Sequence, residues 1–320
     1  MTPKLLRIAT RGSQLAMWQA ENVRDALIAV HPDLQVEVEI VRTTGDRILD
    51  VPLAKIGDRG LFTKEIDEAL LEGRADIAVH SLKDVPTRVP DGLDLAAVTE
   101  RADPRDVLIG PRGASLKLET LTVGARVGTS SLRRRSQLRH VRPDVEVVDL
   151  RGNLNTRLAR LDDGGYDAII LAAAGVLRLG WTDRISHYLE PADWLPAVGQ
   201  GALAIVARAD DGAAADLLRP LHHPETAACV AAERSFLRTL EGGCQVPIGA
   251  LATLSGDELR LDGLVADMEG ERILRDLRTG PVGDAAALGE RVAESLRSAG
   301  ADEILRAIRA AADAPGIPGP

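Results

Sequence analysis

The sequence predicts parallel α/β layers over its first two-thirds and a separate α+β unit over the rest. Three observations carry that reading. Short β-rich runs alternate with amphipathic segments as far as Arg208. Several of those runs end in glycine, serine or threonine just before a helical pattern. From Pro224 onward the chain changes character, to a helical stretch, alternating strands and alanine-rich helices.

Residues 5–9 read as a strand, followed by Thr10-Arg-Gly-Ser13 and a helix over 13–30 in which Leu15, Trp18, Val23, Leu27 and Val30 fall near helical spacing. His31-Pro32 ends it. Residues 35–41 alternate Val36, Val38 and Ile40 with polar side chains, a half-buried strand. Residues 43–60 lack a period and hold three glycines and Pro52, which predicts a long mobile loop. A helix over 63–72 stops at Gly73, and a strand over 76–79 ends at His80-Ser-Leu-Lys-Asp84, where Val85-Pro86 prevents an immediate helix. A second unit begins near Asp106: strands over 123–127 and 145–150 lead through Gly128-Thr-Ser-Ser131 and Arg151-Gly-Asn153 into helices, and 168–171 is a third strand. Residues 202–208 are strand-like and return the chain to the first unit, with Val198-Gly-Gln-Gly201 as hinge or crossover. The last third holds a helix through Leu240, strands over 248–254 and 258–265, and further helices. The expected domains are 1–101 with 202–219, 106–195, and 224–314, leaving 315–320 as a frayed tail.

Composition narrows the function. With 320 residues, 45% hydrophobic and 27% charged, the chain fits a globular protein and excludes a disordered or collagenous one. The longest apolar run, 168–177, is half of the roughly 20 residues a spanning helix needs, and reads as a buried strand running into a turn. Charges among the first eleven residues stand where a secretory signal needs apolar ones, so a cytoplasmic protein is expected. Cys229 and Cys244 make no disulfide framework or metal spacing, and the six histidines form no triad or metal set. Residues 126–160 contain nine arginines against three acids, a local +6 in a chain of net charge −9. A cationic field inside an acidic protein points to a small polyanion held in a cleft.

In open α/β sheets, ligands bind outside the carboxyl ends of strands, where helix N-termini offer unpaired N–H groups. Four junctions there carry cations and hydroxyls: Arg11 with Ser13; Ser81, Lys83 and Asp84; Ser131 with Arg133 and Arg134; and Arg151 with Arg157. Guanidinium groups grip carboxylates through paired hydrogen bonds, so several carboxylates could be seated at once. Each arginine also has a plainer alternative, capping a helix or pairing with a surface acid. No phosphate loop or dinucleotide fingerprint is present. Asp84 suits stabilisation of a cationic intermediate, or else caps a turn. Cys244 is presented by two glycines in Glu241-Gly-Gly-Cys-Gln-Val-Pro247; Cys229, among alanines, reads as a small core residue.

Eight motifs stand in one order: Thr10-Arg-Gly-Ser13, Thr43-Thr-Gly-Asp46, Gly60-Leu-Phe-Thr-Lys-Glu65, His80-Ser-Leu-Lys-Asp-Val-Pro86, Gly128-Thr-Ser-Ser-Leu-Arg-Arg134, Leu150-Arg-Gly-Asn153, Val198-Gly-Gln-Gly-Ala202 and Glu241-Gly-Gly-Cys-Gln-Val-Pro-Ile-Gly249. Together they resemble the porphobilinogen deaminase (hydroxymethylbilane synthase) family across nearly the whole chain. The resemblance implies two doubly wound, periplasmic-binding-protein-like α/β domains with a cleft between them, and a third, smaller α+β domain. It implies a transferase of tetrapyrrole and haem biosynthesis that joins four porphobilinogen molecules head to tail with loss of ammonia and releases hydroxymethylbilane. A dipyrromethane cofactor on a thioether would sit on Cys244. Asp84 would assist departure of ammonia and stabilise the azafulvenium cation. Lys83, Ser131, Arg133 and Arg134 would hold the cofactor with Asp84, while Arg11, Ser13, Phe62, Arg151, Arg157 and Gln200 would meet the substrate.

A monomer is expected, with no nucleic-acid, membrane or metal partner. Growth of the chain inside one cavity would require the 43–60 loop and the hinges to move. Arg59 stands where many relatives have lysine, and Ala204 and Val206 where glycine and glutamate are expected. Two rival readings differ in class. A non-enzymatic carboxylate receptor leaves Asp84 and Cys244 unexplained, and nucleic-acid binding through residues 133–142 lacks aromatic platforms in a chain only 2% aromatic.

Overall fold

The computed structural model describes residues 5–47, 63–240 and 246–313. Phe62, Cys244, Arg59, residues 48–60 of the long loop and the 315–320 tail lie outside the described residues. The first lobe is laid down by β1 (Leu5–Thr10), α1 (Gln14–Val30), β2 (Gln35–Ile40), the short α2 (Thr44–Arg47), α3 (Lys64–Leu71), β3 (Ile77–Ser81) and β4 (Leu93–Val98). The second follows with β5 (Asp106–Ile109), β6 (Arg126–Gly128), α4 (Leu132–Val141), β7 (Glu146–Val148), α5 (Leu154–Asp162), β8 (Ala168–Ala172), α6 (Ala173–Arg178) and β9 (His187–Leu189). The chain then crosses back through β10 (Leu203–Arg208) and α7 (Gly212–Leu218). The third unit holds α8 (Pro224–Thr239), β11 (Ile248–Ser255), β12 (Glu258–Ala266), β13 (Ile273–Pro281), α9 (Ala285–Ser298) and α10 (Ala301–Asp313).

The first sheet runs β2-β1-β3-β10-β4 and the second β7-β6-β8-β5-β9. The pairs β1–β2, β1–β3, β6–β7 and β6–β8 are parallel, as the alternation of strand and helix predicts. Neither sheet is wholly parallel. β10 lies antiparallel to both β3 and β4, and β5 antiparallel to both β8 and β9. Both are the first strands after a crossover, so each enters its sheet from the other lobe and runs against both of its neighbours. Apolar residues decide the layering: Leu6 and Ile8 of β1 pack with Val23 and Leu27 of α1, and with Ile205 of β10, in one core. Ala204 and Val206 are buried at the centre of β10, where side chains larger or charged would need room or a partner.

The third sheet is an antiparallel meander, β11-β12-β13. Phe236 of α8 and Leu288 and Val292 of α9 close over Leu259 and Leu261 of β12. The apolar run at 168–177 is a strand continuing into a helix, α6, and not into a turn: Ala173 and Val176 of that helix are buried in the core with Ile169 and Leu171 of β8. Among the described residues no helix is long and apolar enough to cross a membrane.

Candidate active site

β3 ends in one tight turn, Leu82–Asp84, and the packing of that turn decides what it presents. Leu82 is buried against Val98, Ala202, Ala204 and Val230, and its N–H donates to the Ala202 carbonyl at 3.0 Å. Gly199 passes so close that a Cβ there would stand 2.0 Å from the Leu82 side chain, and its φ of +71° also favours glycine. With Leu82 anchored, Asp84 is left exposed and Lys83 half-buried, its Nζ donating to Gln200 Oε1 at 3.3 Å. Burial lowers the Lys83 ammonium to about 8; the carboxylates of Asp84 and Asp106 act to raise it, and Arg134 and Arg133 to lower it. These groups therefore share one electrostatic neighbourhood.

From the second lobe, α4 supplies the facing cations. Ser131 caps it, accepting from Arg134 N at 3.4 Å. Arg133 and Arg134, 4% and 5% exposed, turn inward onto Asp106: Arg133 Nη1 meets Oδ2 at 2.7 Å and Arg134 Nη2 meets Oδ1 at 2.7 Å. Burial alone would raise the Asp106 pKa, but the two guanidinium groups hold it far below the usual carboxylate range. On α5, Asn153 caps the helix through Thr156 N, and Arg157 Nε donates to the Gly152 carbonyl at 2.8 Å. Burial lowers Arg157 to about 10, with Arg134 and Arg151 adding to the fall and Asp84 opposing it. At the neighbouring strand end, Ser13 caps α1 by accepting from Ala16 N, and Arg11 lies close enough to His80 to help burial push that imidazole down to about 4.

Thus Lys83, Asp84, Arg133, Arg134, Arg151 and Arg157 come together from both lobes. Gln200 is only 1% exposed and has both ends of its amide engaged within the protein, so it sits behind the site and not on its surface. Other arginines of the 126–160 segment follow the plainer alternative: Arg135 pairs with Asp149, Arg139 with Glu269 and Arg142 with Asp144. Sequence reasoning missed Asp106, Trp194 and Gln137, which lie beneath the arginines; no local motif marks them. Two anions, Asp84 and buried Asp106, face five cations in this neighbourhood. The surplus suits a ligand bearing several carboxylates.

Residues 6–216 match the family model described as "Porphobilinogen deaminase, dipyromethane cofactor binding domain", and residues 227–298 match "Porphobilinogen deaminase, C-terminal domain". A protein of Syntrophobacter fumaroxidans named porphobilinogen deaminase is 54% identical over 308 residues, covering 96% of this chain and 99% of its own. One of the same name from Synechococcus sp. strain RCC307 is 54% identical over 313 residues, covering 98% and 99%. Among solved structures, the periplasmic aliphatic sulphonate binding protein SsuA from Escherichia coli aligns at 15% identity and a TM-score of 0.40, covering 75% of this chain and 71% of that one. The BenM effector binding domain with benzoate aligns at 14% and 0.41, covering 69% and 91%. Matched by both family models and more than half identical to full-length relatives, a chain that sets arginines of one lobe against a lysine and an exposed aspartate of the other belongs to the porphobilinogen deaminase family.

Proposed function

We propose that this chain joins four porphobilinogen molecules head to tail, losing one ammonia per addition, and releases hydroxymethylbilane, with a dipyrromethane carried as a thioether on Cys244. The observation that supports it is the cationic cluster around Asp84. Every pyrrole of the substrate bears an acetate and a propionate, so a growing chain multiplies carboxylates, and the site offers guanidinium groups from the second lobe and the Lys83 ammonium from the first to receive them.

The donor set fits a dipyrromethane. Its pyrroles carry the same acidic side chains, and Arg134 Nε is buried with no hydrogen-bond partner among the described residues. Lys83, Arg133, Arg134 and the Ser131 hydroxyl would hold it. Ser131 and Ser13 accept from backbone N–H groups as caps, and each hydroxyl keeps its own proton to donate to a ligand carboxylate. When bound, the dipyrromethane supplies the nucleophilic pyrrole carbon from which the product chain is extended. Arg11, Ser13, Arg151 and Arg157, with Phe62, would orient the incoming ring, while Gln200 acts through Lys83.

Asp84 does the central work. Loss of ammonia from the aminomethyl carbon leaves a positive charge spread over the pyrrole ring. An exposed carboxylate on a turn fixed by Leu82 can face that charge without first reorganising. The same carboxylate can accept the pyrrole N–H and fix the ring against it.

The test is mass and turnover together. The purified chain should consume porphobilinogen to a linear tetrapyrrole and carry a covalent mass increment equal to two linked pyrroles, which Cys244→Ser should abolish. Asp84→Asn should fold normally and lose at least ~100-fold in turnover. An unmodified native mass with no consumption of porphobilinogen would reject the reading.

A further inference from the structure

Asp106 opens β5 at the point where the chain enters the second lobe, and it has no solvent exposure. A carboxylate buried to that degree needs its charge matched and its lone pairs filled. Four side chains do so. Arg133 Nη1 and Trp194 Nε1 donate to Oδ2 at 2.7 and 2.9 Å, and Arg134 Nη2 and Gln200 Nε2 to Oδ1 at 2.7 and 2.8 Å. Each guanidinium is pinned a second time, Arg133 Nη1 on the Leu195 carbonyl at 2.8 Å and Arg134 Nη1 on the Ile170 carbonyl at 2.9 Å. Two fixed contacts leave little freedom to the rest of each cation. Gln200 extends the chain of bonds across the crossover, because its Oε1 accepts from Lys83 Nζ.

We propose that Asp106 is the positioning residue of the carboxylate-binding site: it sets the planes of Arg133 and Arg134 and, through Gln200, the reach of Lys83. The three cations then meet the acidic side chains of the pyrrole ligand as a preorganised set. The inference rests on the functional reading above, that this ligand is a pyrrole polycarboxylate. Stability alone is a weak account of the arrangement, since a buried ion pair seldom outperforms apolar packing of the same volume, whereas fixed orientation is what bidentate recognition requires.

Asp106→Asn preserves shape but turns one acceptor into an N–H2 group aimed at an existing donor. In the cofactor-bearing enzyme it should lower kcat/KM for porphobilinogen at least 30-fold. It should also reduce the fraction of molecules carrying the covalent increment when porphobilinogen is limiting, read by intact mass. The pH profile separates positioning from scaffolding. Lys83 is faced by Asp84 on its own turn, Arg133 and Arg134 from α4, and Asp106 from β5. Removing one of its two carboxylates should move the alkaline limb of kcat/KM to lower pH than in the native enzyme, by about one unit. A merely structural role scales the profile without moving that limb, and that result overturns the proposal.

Gln200→Met leaves both arginines and Trp194 on Asp106, so it tests the relay even where Asp106→Asn folds poorly. It should move the same limb in the same direction with the Trp194 indole N–H resonance unchanged; an unmoved limb overturns the relay. A native chain that neither consumes porphobilinogen nor carries the increment defeats the functional reading. A native chain that does both while Asp106→Asn matches it within twofold defeats only the role of Asp106.

Discussion

His80 shows how far burial can override a residue's usual chemistry. It sits in the buried part of β3, 6% exposed, where loss of hydration first, and the nearby Arg11 second, push the imidazole from 6.5 down to about 4. Neutral at working pH, it adds no like charge beside Arg11. The unfolded chain therefore binds one more proton than the folded one between pH 6.5 and 4, so the folded state loses stability as pH falls through that window. At pH 5 the loss amounts to about 2 kcal/mol. His80→Gln should remove it: urea midpoints at pH 7 and pH 5 should converge in the variant relative to the native protein, and equal pH sensitivity in both would show that another group is responsible. The sequence marked His80-Ser-Leu-Lys-Asp84 as a strand end with chemistry, but not which side chain lies inside. The same holds for the arginines. Nine read alike as charge, while their roles depend on partners such as Asp106, 27 and 28 residues away from Arg133 and Arg134.

At the level of elements, α4 is the informative case, because its inner face is polar. Arg133, Arg134, Ser136 and Gln137 are buried beside Leu138, and Gln137 completes the docking by accepting from Leu195 N at 2.8 Å and donating to Leu195 O at 3.1 Å. No apolar period announces such a helix; only the Thr-Ser-Ser run before it does. Its outer side meets the turn between β12 and β13. Gly270, at φ +74°, lies so close that a Cβ would stand 2.4 Å from the Ser136 carbonyl and 2.7 Å from His140 N. Arg139 Nη1 reaches the Met268 carbonyl there at 3.0 Å. Gly270→Ala should therefore separate the third unit from α4 and lower stability by about 1–3 kcal/mol, through both the strained φ and the lost contacts. Urea unfolding with an unchanged midpoint would refute this. Strands with continuous apolar runs, such as β8 and β10, were legible from sequence. β13 was not, because its sequence Leu-Arg-Asp-Leu-Arg-Thr belongs to a largely exposed edge whose order comes from pairing with β12.

Across the whole molecule, one buried carboxylate joins both crossovers to the third unit. Glu233 of α8, with no solvent exposure, takes Arg101 Nη1 and Nη2 at 2.7 and 2.9 Å. It also accepts Gly199 N at 2.7 Å and Ala252 N of β11 at 2.8 Å. Arg101 lies where the chain leaves the first lobe and Gly199 where it returns, so Glu233 fixes the pivot of the two lobes against the sheet behind them. Val198-Gly-Gln-Gly201 could be read as a crossover from its glycines. Glu233 could not, since its partners stand 132, 34 and 19 residues away. Glu233→Gln keeps the volume but replaces one acceptor with a donor and leaves a guanidinium buried without its counter-charge, which should cost about 3–5 kcal/mol. The loss should be local before it is global. Hydrogen exchange followed by mass should quicken in α8 and β11 and in the segments around Arg101 and Gly199, while β1 and β6, whose cores do not touch Glu233, keep native protection. Uniformly faster exchange in all three units would mean that Glu233 only stabilises the chain as a whole and does not hold the pivot.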